Sequence, residues 1–114
     1  MKAVFAGLLL AACNAFAGPV AYVPNERSGT ISMIDTTTDR VVAEIKAGAK
    51  PRGIAVSPDG KRLFVSDQPA NALLVIDIPQ RKIERSIPLG ESPEGVSLSR
   101  DGRLVAAAAG LARP

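Results

Sequence analysis

The sequence predicts an all-β fold, a partial β-propeller of about two to two and a half four-stranded antiparallel blades. The first observation is an internal repeat: "KPRGIAVSPDGKRLFVS" at 50–66 returns as "SPEGVSLSRDGRLVAAA" at 92–108, a period of 42 residues from Pro51 to Pro93. A fixed period of this size indicates an array of supersecondary units. The second observation is that each unit holds four short apolar runs bounded by turn residues, which is the pattern of one propeller blade.

The repeat register assigns the elements in chain order. The outer three strands of a first blade are predicted at "VAYVP", "TISMIDT" and "VVAEIKAG". One complete blade comes next, and the first two strands of a third blade follow it. Asp-Gly at 59–60 and at 101–102 predicts tight hairpin turns, because glycine accepts the positive φ that such turns need and aspartate bonds its own turn backbone. The predicted domains are a signal peptide at 1–17, an incomplete first blade at 18–50, a complete blade at 51–92, and the start of a third blade with an irregular tail at 93–114.

The first 17 residues, "MKAVFAGLLLAACNAFA", have the features of a signal helix that is removed on export. Lys2 precedes an apolar run that is too short to span a bilayer, and Ala15-Phe16-Ala17 is typical of a cleavage site. Lipidation is the alternative to simple cleavage, since Leu10-Ala11-Ala12-Cys13 resembles a bacterial lipobox in which Cys13 would be lipidated. Both alternatives predict export, either to the periplasm or medium or to a lipid anchor in the cell envelope.

Composition excludes several classes of function for this stretch of chain. There is no histidine, no tryptophan and a single cysteine, so a Ser-His-Asp triad and His-ligated zinc or haem iron have no ligands here. The net charge of +3 is spread along the chain, and only Tyr22 and Phe64 follow the leader as aromatic residues, so nucleic-acid binding is not expected. We therefore assign no catalytic residue, no metal and no cofactor from the sequence, and predict a protein that is not an enzyme.

Candidate binding residues lie in loops that the blade pattern places at one rim. In each copy of Pro-X-Gly the central residue differs, being Arg52 in one and Glu94 in the other, and a charge that changes on a constant scaffold is typical of a binding position. Asn25, Glu26 and Asp67 fall in the neighbouring rim loops and complete the candidate set. Two other interpretations stay open: Arg52 and Glu94 form an exposed salt-bridged pair, or the three oxygen-bearing side chains hold a cation, for which six to eight ligands are not apparent.

Residues 20–107 resemble a known repeat family. The stretch "YVPNERSGTISMIDTTTDRVVAEIKAGAKPRGIAVSPDGKRLFVSD" is similar to the YVTN-type β-propeller repeat of exported bacterial and archaeal proteins, whose naming tetrad is found as Tyr22-Val23-Pro24-Asn25. The leader followed at once by "AYVPNERSGT", with "PRG" and then "SPEG", is similar to propellers associated with PQQ-dependent alcohol catabolism. The resemblance implies a seven-bladed periplasmic or surface protein, in most cases without catalytic activity, although some related propellers carry a haem.

These observations predict an exported, non-catalytic propeller fragment that serves as a binding or interaction scaffold, linked in the finer placement to periplasmic quinoprotein alcohol oxidation. The partner is an unidentified protein or small molecule, and self-association through open blade edges is expected. Because nine strands do not close a ring, the chain is predicted to be a truncated N-terminal piece. The alternatives are a truncated propeller enzyme or haem-bearing redox accessory with its active residues in missing blades, and a surface or lipid-anchored structural protein.

Overall fold

The computed structural model describes residues 18–109, which form nine strands in three antiparallel sheets. The all-β, partial-propeller fold class is thereby confirmed. The predicted signal helix, Cys13 within it and the last five residues lie outside the described range. Within that range no helix could cross a membrane. The strands are β1 (Val20–Asn25), β2 (Thr30–Asp35), β3 (Arg40–Lys46), β4 (Pro51–Val56), β5 (Arg62–Asp67), β6 (Ala72–Asp77), β7 (Lys82–Pro88), β8 (Pro93–Leu98) and β9 (Val105–Ala109).

Each sheet is a simple meander in which every strand pairs with its neighbours in the sequence. The sheets have the orders β1-β2-β3, β4-β5-β6-β7 and β8-β9, and we refer to them as the first, second and third blades. The repeat extends to irregularities in pairing. A register shift between Met33 and Ile34 returns between Val75 and Ile76, and one within β4 returns within β8. The second blade is therefore the complete unit against which the other two can be compared.

The predicted Asp-Gly turns have the same hydrogen bonds in both copies. Asp59 accepts hydrogen bonds from the Ser57 hydroxyl (2.6 Å) and from the Lys61 amide (3.0 Å), and Gly60 has φ of 73°. Asp101 is held in the same way by its own turn. Because the charged carboxylate accepts these bonds, the hydroxyl of Ser57 and then the Lys61 amide lower the pKa of Asp59 below its ordinary value, and the Ser99 hydroxyl first lowers the pKa of Asp101. The turn-capping role of both aspartates is confirmed.

The core lies between the first and second blades. Strand residues alternate between two faces, so one face of the first blade meets the opposite face of the second. The buried side chains of this interface include Ile31, Met33 and Ile45 from the first blade and Leu63, Val65 and Ile76 from the second. Each of these is at most 2% exposed. The core thus belongs to the space between sheets, as it must where single sheets are only one layer thick.

The other face of the first blade is more polar than the repeat predicts. Val23 is 41% exposed, whereas Val65 at the same repeat position is fully buried against the preceding blade. Ser32 stands on this face where the second blade has Leu74, and the Asn25 amide donates to the Ser32 hydroxyl at 2.8 Å. Ser32 in turn donates to a carboxylate oxygen of Glu44 at 3.4 Å. No other sheet of residues 18–109 lies against this face, and its polar side chains bond to one another instead.

The second and third blades approach each other most closely along their inner strands β4 and β8. A Cβ atom at Gly53 would overlap the carbonyl oxygen of Glu94, so only glycine allows this approach. The fully buried Ser66 hydroxyl bridges the two backbones, accepting from the Gly53 amide at 2.8 Å and donating to the Glu94 carbonyl at 2.6 Å. The third blade has Ala108 at the position of Ser66, so this bridge occurs once in the described residues.

Candidate functional site

Three of the predicted binding residues meet at the rim, and each comes from a different blade. Glu26 lies in the turn after β1, Arg52 is the second residue of β4, and Glu94 is the second residue of β8. Arg52 and Glu94 are brought together because β4 and β8 begin side by side, at the close approach that Gly53 permits. We call Glu26, Arg52 and Glu94 the rim row.

Arg52 stands between two carboxylates in the rim row. Its Nη1 lies 3.9 Å from Glu26 Oε1 and its Nη2 lies 3.7 Å from Glu94 Oε1, while Lys50 Nζ is also 3.9 Å from Glu26 Oε1. Charge-assisted hydrogen bonds are about 2.7–2.9 Å long, so these are loose ion pairs. The side chains of the rim row are 42–50% exposed, and such pairs contribute at most about 1 kcal/mol each. The row can therefore rearrange around a ligand at little cost.

Asp67 is positioned inside the rim rather than on its surface. It is 3% exposed, and its two carboxylate oxygens accept the backbone amides of Ala49 and Lys50 at 3.3 Å and 3.0 Å. Gly48, with φ of 85°, faces this carboxylate, and a Cβ atom there would collide with it. Asp67 thus holds the loop that presents Lys50 and Arg52. Both carboxylate oxygens of Asp67 already accept a backbone amide. A direct contact between Asp67 and a ligand stays a prediction.

Asn25, at the same repeat position as Asp67, also bonds within the protein. Its amide nitrogen donates to Thr30 Oγ1 at 3.1 Å and to Ser32 Oγ at 2.8 Å, which directs it to the polar face of the first blade. The structure therefore groups Glu26 with Arg52 and Glu94 and separates Asn25 from them. Lys50 joins the group through Glu26, and its place directly before Pro51 in a rim loop is the sequence signal for it.

The rim row is suited to recognition of charged groups. Arg52 offers a planar donor fork to a carboxylate or phosphate, and the two glutamates offer acceptors to an amine or guanidinium. Within residues 18–109, no three His, Cys, Asp or Glu side chains cluster closely enough to hold a metal ion. The arrangement can bind and orient a polar partner.

Three stacked antiparallel sheets with a 42-residue period define the class of the protein as a β-propeller. Comparison with family profiles gives the finer assignment: residues 6–102 match the YNCE-like β-propeller profile, and the chain belongs to that family. No curated protein matches it.

Solved structures agree with this fold. The chain is similar to the Kuenenia stuttgartiensis hydrazine synthase (27% identity, TM-score 0.77), covering 81% of this chain and 26% of that one. A second similar structure is a functionally unknown protein from Desulfotomaculum acetoxidans (20% identity, TM-score 0.68), where the match covers 79% of this chain and 31% of that one. A third is the dihydro-haem d1 dehydrogenase NirN in complex with DHE (18% identity, TM-score 0.64), where the match covers 77% of this chain and 19% of that one. The chain thus spans less than a third of the length of each of these structures.

Proposed function

We propose that this protein is an exported, non-catalytic propeller repeat protein that serves as a binding scaffold, with the rim row as its recognition surface. The observation that carries the proposal is the convergence of Glu26, Arg52 and Glu94 from three successive blades. The turns and core residues recur from blade to blade, whereas the charge at the centre of Pro-X-Gly changes from Arg52 to Glu94. A constant scaffold with a variable charged position is expected of a repeat that binds a partner.

The charges and exposure of the rim row indicate a polar partner with groups of both signs, such as a charged loop of another protein. The ion pairs of the row are long and solvated, so a partner can replace them with shorter hydrogen bonds. Complementary exposed charges mainly raise the rate of association, and salt screens them over about 8–10 Å. Binding through the row should therefore weaken as salt concentration rises.

The Arg52→Glu variant tests this surface, and Arg62→Glu is the matched control. Arg62 is also a β-strand arginine with a comparably exposed side chain, but it pairs with Glu84 at 2.7 Å away from the rim row. Immobilised protein is exposed to extract of the producing cells at low and high salt, and bound proteins are identified by mass spectrometry. We expect a partner that is retained by the parent and by R62E and lost with R52E or at high salt. Equal retention by R52E would refute the rim as the recognition surface.

Export and the closer relationship are further parts of the proposal. The YVTN-type motif and the segment at 1–17 support placement among exported propellers, and the "PRG" and "SPEG" spacing supports a link to quinoprotein alcohol oxidation. Mass spectrometry of the mature N-terminus separates the two routes. A free Gly18 supports simple cleavage, whereas a diacylated Cys13 supports the lipid-anchored, structural alternative. An intact Met1 on protein from the cytoplasm would contradict export.

The similarity to hydrazine synthase favours one second candidate, a propeller enzyme or haem-bearing redox accessory whose active residues lie outside the described blades. The identity of 27% extends over 81% of this chain, so the likeness is more than a few motifs. The measurement is an absorption spectrum of the protein purified from its own cells under mild conditions. A haem band that co-purifies with the chain would support the accessory role, and a spectrum of protein alone supports the scaffold.

A further inference from the structure

The loops that lead into β4 and β8 present Arg52 and Glu94, and their backbones differ. The first loop is residues 47–50 and the second is residues 89–92. Three left-handed backbone positions recur 42 residues later, at 29 and 71, at 39 and 81, and at 60 and 102. The position within these two loops does not recur. In the first loop it falls on Gly48, with φ of 85°, whereas in the second it falls on Ser92, with φ of 49°.

The conformation of Ser92 is unfavourable for two reasons. A residue with a side chain rarely adopts positive φ, and a residue directly before proline, here Pro93, favours extended backbone. Lys50 precedes Pro51 at the same repeat position and is not left-handed. Neither the repeat nor the proline therefore requires this conformation. Strain of this kind persists only where neighbouring groups hold the residue in place.

Asn71 supplies the bonds that hold the second loop. Its backbone carbonyl accepts the Leu89 amide at 2.7 Å, and its side-chain Oδ1 accepts the Ser92 amide at 3.0 Å. One residue thus binds the first and the last residue of the loop. Asn71 itself has φ of 49°, which asparagine tolerates better than most residues. Only the backbone bond recurs in the first loop, where the Gly29 carbonyl accepts the Ala47 amide at 2.9 Å.

The two loops use different side chains for the same purpose. The first loop is held by the Asp67 carboxylate, whereas the residue 42 positions later is Ala109, whose methyl group accepts no hydrogen bond. Conversely, the first loop has no room for a side chain at Gly29, because an added Cβ atom would overlap the Gly48 carbonyl oxygen. Asn71 therefore has, in the second loop, the holding role that Asp67 has in the first.

The hairpin of β5 and β6 holds the chain on both sides of Pro93, which is fully buried. Asn71 binds Ser92 directly before the proline, and the Ser66 hydroxyl donates to the Glu94 carbonyl directly after it. The backbone that carries the Glu94 side chain is thereby fixed from one hairpin. The position of the Glu94 carboxylate beside Arg52 depends on these two bonds.

We infer that Asn71 is a positioning residue of the rim row: its side-chain oxygen holds Ser92 in the left-handed conformation and so sets where Glu94 stands relative to Arg52. The inference rests on the proposed function of the rim row. It assigns the spacing of two opposite charges to a residue that need not touch the partner. Fixed opposite charges favour a partner whose own charges have a matching spacing.

Two variants of Asn71 separate its side-chain bond from its backbone conformation. Glycine and aspartate both tolerate positive φ, but only aspartate keeps an oxygen that can accept the Ser92 amide. Asn71→Gly also introduces the residue that the first repeat has at this place, Gly29, so the fold should accept it. We expect faster hydrogen exchange at the Ser92 amide of the full chain with N71G, and exchange close to that of the parent with N71D.

Cross-linking with a carbodiimide measures the spacing in the rim row without a partner. All three proteins carry Arg52→Lys, so that position 52 offers an amine that can be joined to the Glu94 carboxylate. The link between Lys50 and Glu26, 3.9 Å apart, is the internal reference because the first loop has its own holding group. We expect N71G to lower the ratio of the first link to the second about fivefold, the effect of one lost hydrogen bond, and N71D to restore it. An equal ratio in all three proteins, or N71D behaving like N71G, would overturn the inference.

Retention of the partner from cell extract shows whether the inference and the proposed function fail together. We expect N71G to retain the partner less well than the parent does, and N71D to retain it. If N71G retains the partner fully while R52E loses it, the positioning inference is wrong and the proposed function stands. If R52E also retains the partner, the proposed function is wrong, and the cross-link ratio still decides whether Asn71 positions Glu94.

Discussion

Replacing Gly53 by alanine tests the contact that joins the second and third blades. The new Cβ atom would lie 3.0 Å from the carbonyl carbon of Glu94 and 3.0 Å from the amide nitrogen of Val96, and closer still to the Glu94 oxygen. All three atoms belong to the backbone, so no side-chain rotation relieves the overlap. The inner strands β4 and β8 must separate. Gly95, which occupies the same place in the next repeat, has no atom within 4 Å of its own added Cβ and is the matched control.

The expected cost follows from the strain and from the bonds that separation weakens. Overpacking at a close contact costs about 1–3 kcal/mol. The Ser66 hydroxyl spans the same gap with bonds of 2.8 Å and 2.6 Å, each worth about 1 kcal/mol. Partial loss of both gives a total of about 2–4 kcal/mol for Gly53→Ala. Gly95→Ala should stay within about 0.5 kcal/mol of the parent, since it meets open space.

Urea and thermal unfolding, both followed by far-ultraviolet circular dichroism, measure the stability of the two variants. In the thermal experiment, a loss of about 3 kcal/mol corresponds to a decrease of roughly 12–24 °C in the melting temperature of a domain of this size. We expect G53A to unfold at much lower urea concentration than G95A, with similar slopes. If the two variants unfold together, the close approach of β4 and β8 does not stabilise the protein and the reasoning fails.

Three further outcomes are expected. Ser66→Ala should lower the free energy of unfolding by about 1–3 kcal/mol, measured in the same assay, because two backbone groups lose their shared partner; a neutral result would contradict the bridge. Asp67→Ala should speed hydrogen exchange at the two loop amides it binds, whereas Asp67→Asn should change them less, and unchanged exchange in the alanine variant would refute the loop-holding role. The folded state lowers the pKa of Asp59 and of Asp101, so their stabilisation is present above the unfolded pKa and is lost as pH falls through the folded one. The parent should therefore lose melting temperature below about pH 4 more steeply than the doubly substituted D59N/D101N protein.

The fold could be predicted because its determinants are local. Asp59-Gly60 and its copy, Asp101-Gly102, specify hairpin turns through short side-chain bonds and positive φ, and both turns formed as predicted. The alternation of apolar residues in each run specified strands. The polar face of the first blade was harder to predict, since Ser32 replaces an apolar residue of the next repeat and its importance depends on which face has a neighbour.

The geometry of the candidate site was predictable only in part, because binding and structural roles can use the same residue types. Arg52 and Glu94 were selected by their changing charge, and the structure places them 3.7 Å apart at their charged atoms. Asp67 looked equally suitable in the sequence, but its carboxylate points inward and binds the amides of Ala49 and Lys50 in the loop beside Gly48. Ser66 was not selected at all, because the gap it bridges exists only after two blades have packed.

The meander order of the strands has a mechanical consequence. Within residues 18–109 every pairing joins strands that are adjacent in the sequence, and the main contacts between blades join neighbouring repeats. Such local contacts allow folding to begin at any blade and to proceed outward, with little loop entropy to overcome. Under a force applied to its ends, the chain should therefore open blade by blade, and one complete 42-residue unit would release about 140 Å of extended chain.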